Sequence, residues 1–235
     1  MKAETWYNKL GFYNNPFSIK PAAFHDELFG YGDTIKNLNE KIASGAICFI
    51  EGKYGSGKTT ALKRVINRFE GKKRLIYYSR AQSEESVDFD RLLRNRSWLN
   101  RLLRIKPKDM ILLLDEAQEL NRKDIEKIKE YHEKKYFKSV VFVSDKMESV
   151  KFSSELKKLV DGNVFSLGRI GREDAVRLIR KRIGNISILS DAIIRKIYAK
   201  DPTPRAFLEN CEDACKYALS NGDQAVTDEH LKKVL

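Results

Sequence analysis

Five short apolar runs lie in the first two thirds of the chain, each set off by polar or glycine-containing sequence. They read AICFIEG (46–52), RLIYYSRA (74–81), DMILLLDEAQEL (109–120), SVVFVSDK (139–146) and NVFSL (163–167). Such runs are short for amphipathic helices, and their apolar positions are contiguous. That pattern predicts strands buried on both faces. The segments around them have a helical period. Residues 31–45 predict a helix ending near Gly45. In TTALKRVINRFEG, Ala61, Leu62, Val65, Ile66 and Phe69 share one face, and the helix stops at Gly71. Residues 87–105, 122–135 and 153–160 predict further helices, the first broken off by Lys106-Pro107. Strands alternating with helices imply right-handed β-α-β units and a parallel sheet covered on both sides.

After Gly168 the apolar runs give way to helical spacing throughout. GREDAVRLIRKRIG, SDAIIRKIYAKD, PRAFLENCEDACKYALSNG and TDEHLKKVL all read as helices, with start signals at Ser190-Asp191 and Thr227. The expected organisation is a three-layer α/β domain over 1–168, built on a central parallel five-stranded sheet. It carries an irregular, aromatic N-terminal lead-in. A small all-helical domain follows over 169–235.

Charge and cysteine content narrow the setting. The net charge is +12 and the pI about 9.5, an excess that favours polyanionic partners or serves as a solubilising surface. Scarce Gln beside abundant Lys, Arg, Glu and Ile is a composition seen in hot habitats. Cys48 sits in an apolar run and reads as a small core residue. Cys211 and Cys215 are four apart on one predicted helix, and no histidine is spaced to complete a metal site. No run is long enough to span a bilayer, and no signal peptide is evident. A reducing cytoplasm is the expected location.

The first apolar run enters GKYGSGKT, a G-x-x-x-x-G-K-T loop. Gly52, Gly55 and Gly57 permit the tight turns that aim N–H groups inward around phosphate oxygens. Residues Gly52, Lys53, Tyr54, Gly55, Ser56, Gly57, Lys58, Thr59 and Thr60 are the expected nucleotide cradle. Lys58 brings a point charge to the terminal phosphates, and the Thr59 hydroxyl suits Mg²⁺. Asp115 and Glu116 follow ILLL, at the strand end where ligands gather in open α/β sheets. Asp115 is the second candidate for Mg²⁺. Glu116 is the candidate to orient the attacking water. Taken alone, the pair could equally cap a helix. VVFVSD places Ser144, or Asp145, at the end of a neighbouring strand, where it could report the γ-phosphate or simply close the strand. Arg205, in the first turn of a late helix, is a candidate to read the phosphate state.

In this order, NPFSIKP, IEGKYGSGKTT, LLLDEAQEL, VVFVSD and a late PR resemble AAA+ P-loop ATPases over nearly the whole chain. The resemblance is nearest to the ExeA-like and TniB-like branch, with archaeal Orc1/Cdc6-type initiators more distant. It implies a P-loop NTPase core with a helical lid, and ATP with Mg²⁺ as ligands. It also implies Walker roles for Lys58, Thr59, Asp115 and Glu116, a sensor role for Arg205, and Phe29 to Tyr31 near the adenine. One departure stands out: no Arg lies between Ser144 and Arg169, where the family places an arginine finger. Lys157 and Lys158 are there instead, and lysine lacks the planar fork that clamps phosphate oxygens. Slow turnover, or an arginine from another protein, is the implication.

Between Arg91 and Lys108 no acidic residue interrupts seven basic ones. Arg91, Arg94, Arg101 and Arg104 are the candidate nucleic-acid residues, with Trp98 available to stack on a base or to fill the core. Residues 63–74 and 169–182 add two further basic stretches. The functional expectation is an ATP-dependent switch acting with DNA in replication, recombination or transposition. Protein partners and nucleotide-dependent self-association are also expected. The alternatives are a protein-assembly ATPase of ExeA type and, more remotely, a small-molecule kinase.

Overall fold

The protein is described from a computed structural model covering residues 5–20, 28–69, 74–79, 86–94 and 106–235. Two compact units divide the chain. One comprises Gly32–Tyr54 and Lys58–Leu167; the other comprises Met1–Tyr31, Gly55–Gly57 and Gly168–Leu235.

In the first unit the elements run α1 (Gly32–Ser44), β1 (Ile47–Glu51), α2 (Lys58–Phe69), β2 (Leu75–Ser79), α3 (Phe89–Arg94), β3 (Met110–Asp115), α4 (Arg122–Glu133), β4 (Phe137–Ser144), α5 (Ser154–Val160) and β5 (Val164–Ser166). The five strands form one sheet in the order β2-β3-β4-β1-β5, and every pairing is parallel. Every residue of β3 is buried, and so is every residue of β4 except Lys138. That is what strands covered on both faces require. The core gathers Phe49, Leu112, Leu114, Phe137, Val140 and Phe142 with Phe89, Ile125, Ile128 and Leu156 from the helices.

Local sequence sets the helix starts. Asn121 and Asp124 form a reciprocal capping box at the start of α4. Asp124 is only 1% exposed, yet its Oδ1 also accepts the Val87 N–H at 2.7 Å, so the buried carboxylate is satisfied. The sequence places a helix over 87–105. The structure describes α3 for its first part, and residues 95–105, with Trp98, Arg101 and Arg104, lie outside the described residues.

The second unit holds α6 (Arg172–Ile183), α7 (Asp191–Lys200), α8 (Pro204–Ser220) and α9 (Asp228–Val234). Ser190 caps α7 by accepting the Ile193 N–H, and Thr227 N–H donates to His230 Nδ1 at the start of α9. Cys211 and Cys215 are fully buried on α8 as free thiols. Burial pushes Cys215 up to about 12 and Cys211 well above its ordinary value. Both behave as small core residues, as does Cys48 on β1, likewise pushed by burial to about 12.

The lead-in groups with these helices, whereas the sequence reading placed it with the α/β domain. Asn15 Nδ2 donates to Glu212 Oε2 at 2.7 Å. Arg182 Nη1 donates to the carbonyls of Pro16 at 3.2 Å and Ser18 at 3.1 Å. Phe17 is fully buried, stacked on Trp6 with ring centroids 6.0 Å apart. Arg180 is also engaged internally, donating to the Leu189 carbonyl and to Asp191, each at 2.7 Å. Two arginines of the basic stretch 169–182 therefore hold the helical unit together.

Candidate active site

Three strand ends converge at the carboxyl edge of the sheet. Glu51 pairs with Ser144 across β1 and β4, and β3, on the other side of β4, ends at Asp115. The loops leaving β1, β3 and β4 carry the candidate residues, so the sheet order brings together side chains far apart in sequence.

Lys58 opens α2. Its ammonium donates to the Gly52 carbonyl at 2.6 Å, closing the loop on itself, and to Asp145 Oδ1 at 2.6 Å. The Asp145 carbonyl accepts the Gly52 N–H at 3.2 Å. Asp145 thus holds both ends of the loop from β1 to α2. Lys58 is 10% exposed and Asp145 63% exposed. Gly55 and Gly57 adopt φ of +83° and +101°, in the left-handed region that glycine enters without strain. Ser56 between them is 2% exposed, and among the described residues its hydroxyl has no hydrogen-bond partner. Lys53, Tyr54 and Thr59 are exposed, and Thr60 is half-buried.

Gly55–Gly57 clusters with the second unit. There the Arg205 N–H donates to the Gly55 carbonyl at 3.3 Å. A Cβ at Gly55 would lie 2.7 Å from Arg205 Cβ. The Arg205 side chain donates to Glu209 Oε1 at 3.0 Å. Tyr31 is buried, and its hydroxyl donates to the Gly168 carbonyl at 2.5 Å. Burial pushes that phenol to about 12.

Asp115 is drawn to 7% exposure at the end of a strand whose leucines 112, 113 and 114 are fully buried. Each such leucine contributes about 1.5–3 kcal/mol. The strand register therefore outweighs the cost of partly desolvating one carboxylate, which is further offset by two donors. Tyr77 OH donates to Oδ2 at 3.1 Å, and the Glu116 N–H donates to Oδ1 at 3.1 Å. Burial is the largest influence and pushes Asp115 above the usual carboxylate value, against the two hydrogen bonds. Burial raises Tyr77 as well.

Glu116 has φ of +55°. A left-handed non-glycine backbone costs about 1–2 kcal/mol and marks a place where the surroundings dictate the turn. Its side chain is exposed, and its Oε2 accepts from Gln118 Nε2 at 2.5 Å. Ser144, 1% exposed, donates to Gln118 Oε1 at 2.6 Å. Gln118 and Tyr77 were not singled out in the sequence. Gln118 lies in the LLLDEAQEL stretch that carries the resemblance, two residues beyond Glu116, and Tyr77 sits on β2 two residues before the one paired with Asp115. Of the nucleic-acid candidates, Arg91 is exposed, and Arg94 is half-buried with Nε donating to the Asp90 carbonyl at 3.3 Å.

A strand and a glycine loop opening a helix, with paired carboxylates at the end of the strand one beyond its neighbour in a parallel sheet, define a P-loop nucleoside triphosphatase fold. The chain belongs to the AAA family, whose AAA domain matches residues 44–166. No curated protein matches it in sequence. Among solved structures, it is similar to the RuvB Holliday junction branch migration motor of Thermotoga maritima, with TM-score 0.66 and 16% identity. That match covers 88% of this chain and 68% of RuvB. A chain in the structure of Drosophila ORC bound to DNA matches with TM-score 0.67 and 15% identity, over 99% of this chain and 66% of that one. Cdc6p from Pyrobaculum aerophilum matches with TM-score 0.65 and 15% identity, over 94% and 70%. At these identities the likeness establishes the fold.

Proposed function

We propose that the protein is an AAA+ ATPase that works as a nucleotide-dependent switch acting with DNA. The observation that carries the ATPase reading is the convergence of Lys58, Asp115, Glu116 and Ser144 on one sheet edge beside the glycine loop. In this reading Gly52, Lys53, Tyr54, Gly55, Ser56, Gly57, Lys58, Thr59 and Thr60 cradle ATP. The left-handed glycines, and a buried Ser56 hydroxyl with no partner among the described residues, fit a loop that binds phosphate. Thr59 and Asp115 are hard oxygen donors that fit Mg²⁺, which when bound would neutralise charge on the phosphates. Glu116 orients the attacking water, Ser144 senses the γ-phosphate, and Arg205 reads the phosphate state. Gly55→Ala tests the cradle. The left-handed φ and the approach to Arg205 predict at least about a tenfold loss of ATP-analogue affinity. Unchanged affinity would remove the loop from the site.

Support for DNA comes from charge and from the neighbours. RuvB is a branch migration motor, and the ORC structure contains DNA. Along the amino-terminal edge of the sheet, Lys41, Arg74, Lys108, Lys135 and Lys138 are all exposed. The hydrogen-bonding backbone of that edge places them together: Ala46 N–H bonds the Lys41 carbonyl, Ile111 N–H that of Arg74, and Asp109 N–H that of Lys135. Such an edge suits phosphate backbone without base reading. The expected result is salt-sensitive binding of duplex DNA in a mobility assay. Lys135→Glu with Lys138→Glu should reduce the slope of log affinity against log salt by about 2. No DNA binding at low salt with either nucleotide would leave the ATPase without a DNA role. A pull-down would then test the protein-assembly alternative.

A further inference from the structure

A continuous run of hydrogen bonds links Ser144 to Glu116. The Ser149 and Ser144 hydroxyls lie 2.8 Å apart, Ser144 donates to Gln118 Oε1 at 2.6 Å, and Gln118 Nε2 donates to Glu116 Oε2 at 2.5 Å. The chemistry of the partners fixes the amide orientation. An ionised carboxylate only accepts, so it takes the NH₂ end, and the carbonyl end is left for the serine O–H.

The geometry around Gln118 is imposed from outside it. It sits in the short 3-10 turn Ala117–Glu119 that follows β3. Glu119 N–H closes that turn on the Glu116 carbonyl at 3.0 Å, and Leu120 N–H closes it on the Ala117 carbonyl at 3.2 Å. Ala117 is fully buried and Leu120 is 2% exposed, so the turn is anchored in the core on both sides of Gln118. Ser144 is held just as firmly, at the buried end of β4. The amide torsion of Gln118, which is intrinsically broad, is the adjustable link between the buried Ser144 and the exposed Glu116.

We infer that Gln118 is a positioning residue that couples the Ser144 hydroxyl to the Glu116 carboxylate. This rests on the ATPase reading above. A serine hydroxyl has a single proton to donate; Ser149 commits its own to the Lys146 carbonyl at 2.6 Å, so the Ser144 proton faces two acceptors, Ser149 Oγ at 2.8 Å and the nearer Gln118 Oε1 at 2.6 Å. A γ-phosphate oxygen is the stronger, charged acceptor and competes for that proton. When it wins, the Gln118 carbonyl loses its donor, the amide turns, and the carboxylate it holds is re-aimed. The state of the γ-phosphate thereby reaches the group that orients water, through one side chain and without backbone rearrangement.

The test uses the full chain with Mg²⁺ and ATP. Gln118→Leu removes both amide functions at similar size. Gln118→Glu keeps the shape but, when ionised, has no proton for Glu116. Both are expected to lower kcat at least about tenfold while leaving the affinity for a non-hydrolysable ATP analogue unchanged, because Gln118 acts on positioning and not on binding. Ser144→Ala should lower kcat less in the Gln118→Leu background than in the parent, since the pathway is already cut. A second readout does not depend on turnover. The NMR signals of the Gln118 side-chain amide should shift when the analogue binds the parent, and the shift should vanish in Ser144→Ala that still binds it. Independent, multiplying effects of the two substitutions would overturn the relay, as would a side-chain amide shift that survives Ser144→Ala. A parent chain that hydrolyses no ATP sinks the ATPase reading and the relay together. Normal hydrolysis by both Gln118 variants sinks the relay alone.

Discussion

Glu116→Gln is expected to leave ATP binding intact and to lower hydrolysis by about 10²–10⁴-fold, the range that general-base assistance supplies. The substitution is nearly isosteric. The new amide oxygen can still accept from Gln118 Nε2, so the hydrogen bond seen at 2.5 Å has a replacement. The backbone cost at φ of +55° is the same for either residue, because it is met by the buried strand before it and the anchored turn after it. What changes is the charge that polarises water. Phosphate release measured beside ATP retention after gel filtration separates the two steps: bound ATP should accumulate. Turnover equal to the parent's would place the water-orienting group elsewhere, and Asp145 would be the next residue to examine. The exposed position of Glu116 fits a group that must meet a ligand. Asp115 beside it is buried and held by two donors, which fits a fixed ligand for a cation.

The strands were legible because β3 and β4 are buried on both faces, which leaves contiguous apolar sequence. β4 begins at Phe137, two residues before the expected run, because the exposed Lys138 interrupts the apolar pattern while Phe137 remains fully buried. That β4 lies beside β3 is the expected placement, but its pairing on the other side with β1 was not legible, since periodicity carries no information about neighbours. Yet that pairing puts Asp145 against Lys58, a separation of 87 residues in sequence. The ties of the lead-in were hidden for a related reason. Its ties run to Arg182 and Glu212, and nothing local in NNPFS announces partners that distant. The glycine loop and the carboxylate pair were legible because their chemistry fixes both residue type and spacing. Gln118 and Tyr77 act through a neighbour's carboxylate, a role that many polar side chains can fill, so no spacing marks them.

Lys58→Ala is expected to weaken ATP binding by about 10²-fold, from the roughly 1.5–3 kcal/mol of a charge-assisted hydrogen bond, and to abolish hydrolysis. The lysine does more than offer charge to a ligand. Its ammonium also bonds the Gly52 carbonyl at 2.6 Å and neutralises Asp145. Its removal leaves the Asp145 carboxylate beside the phosphate site, where like charge adds to the loss. Asp145→Asn isolates that second effect. With Asp145 63% exposed, the ion pair is screened and worth at most about 1 kcal/mol. Its loss should therefore tighten ATP binding by no more than about fivefold. A triphosphate carries several charges and outcompetes one screened carboxylate, so the pair holds the loop ready without blocking it. Adding Asp145→Asn to Lys58→Ala should recover part of the lost affinity, by relieving the uncompensated carboxylate. Titration of a fluorescent ATP analogue against the four proteins measures the cycle directly. If Asp145→Asn weakens binding in both backgrounds, the carboxylate contributes to holding the nucleotide, and its pairing with Lys58 is not a competition.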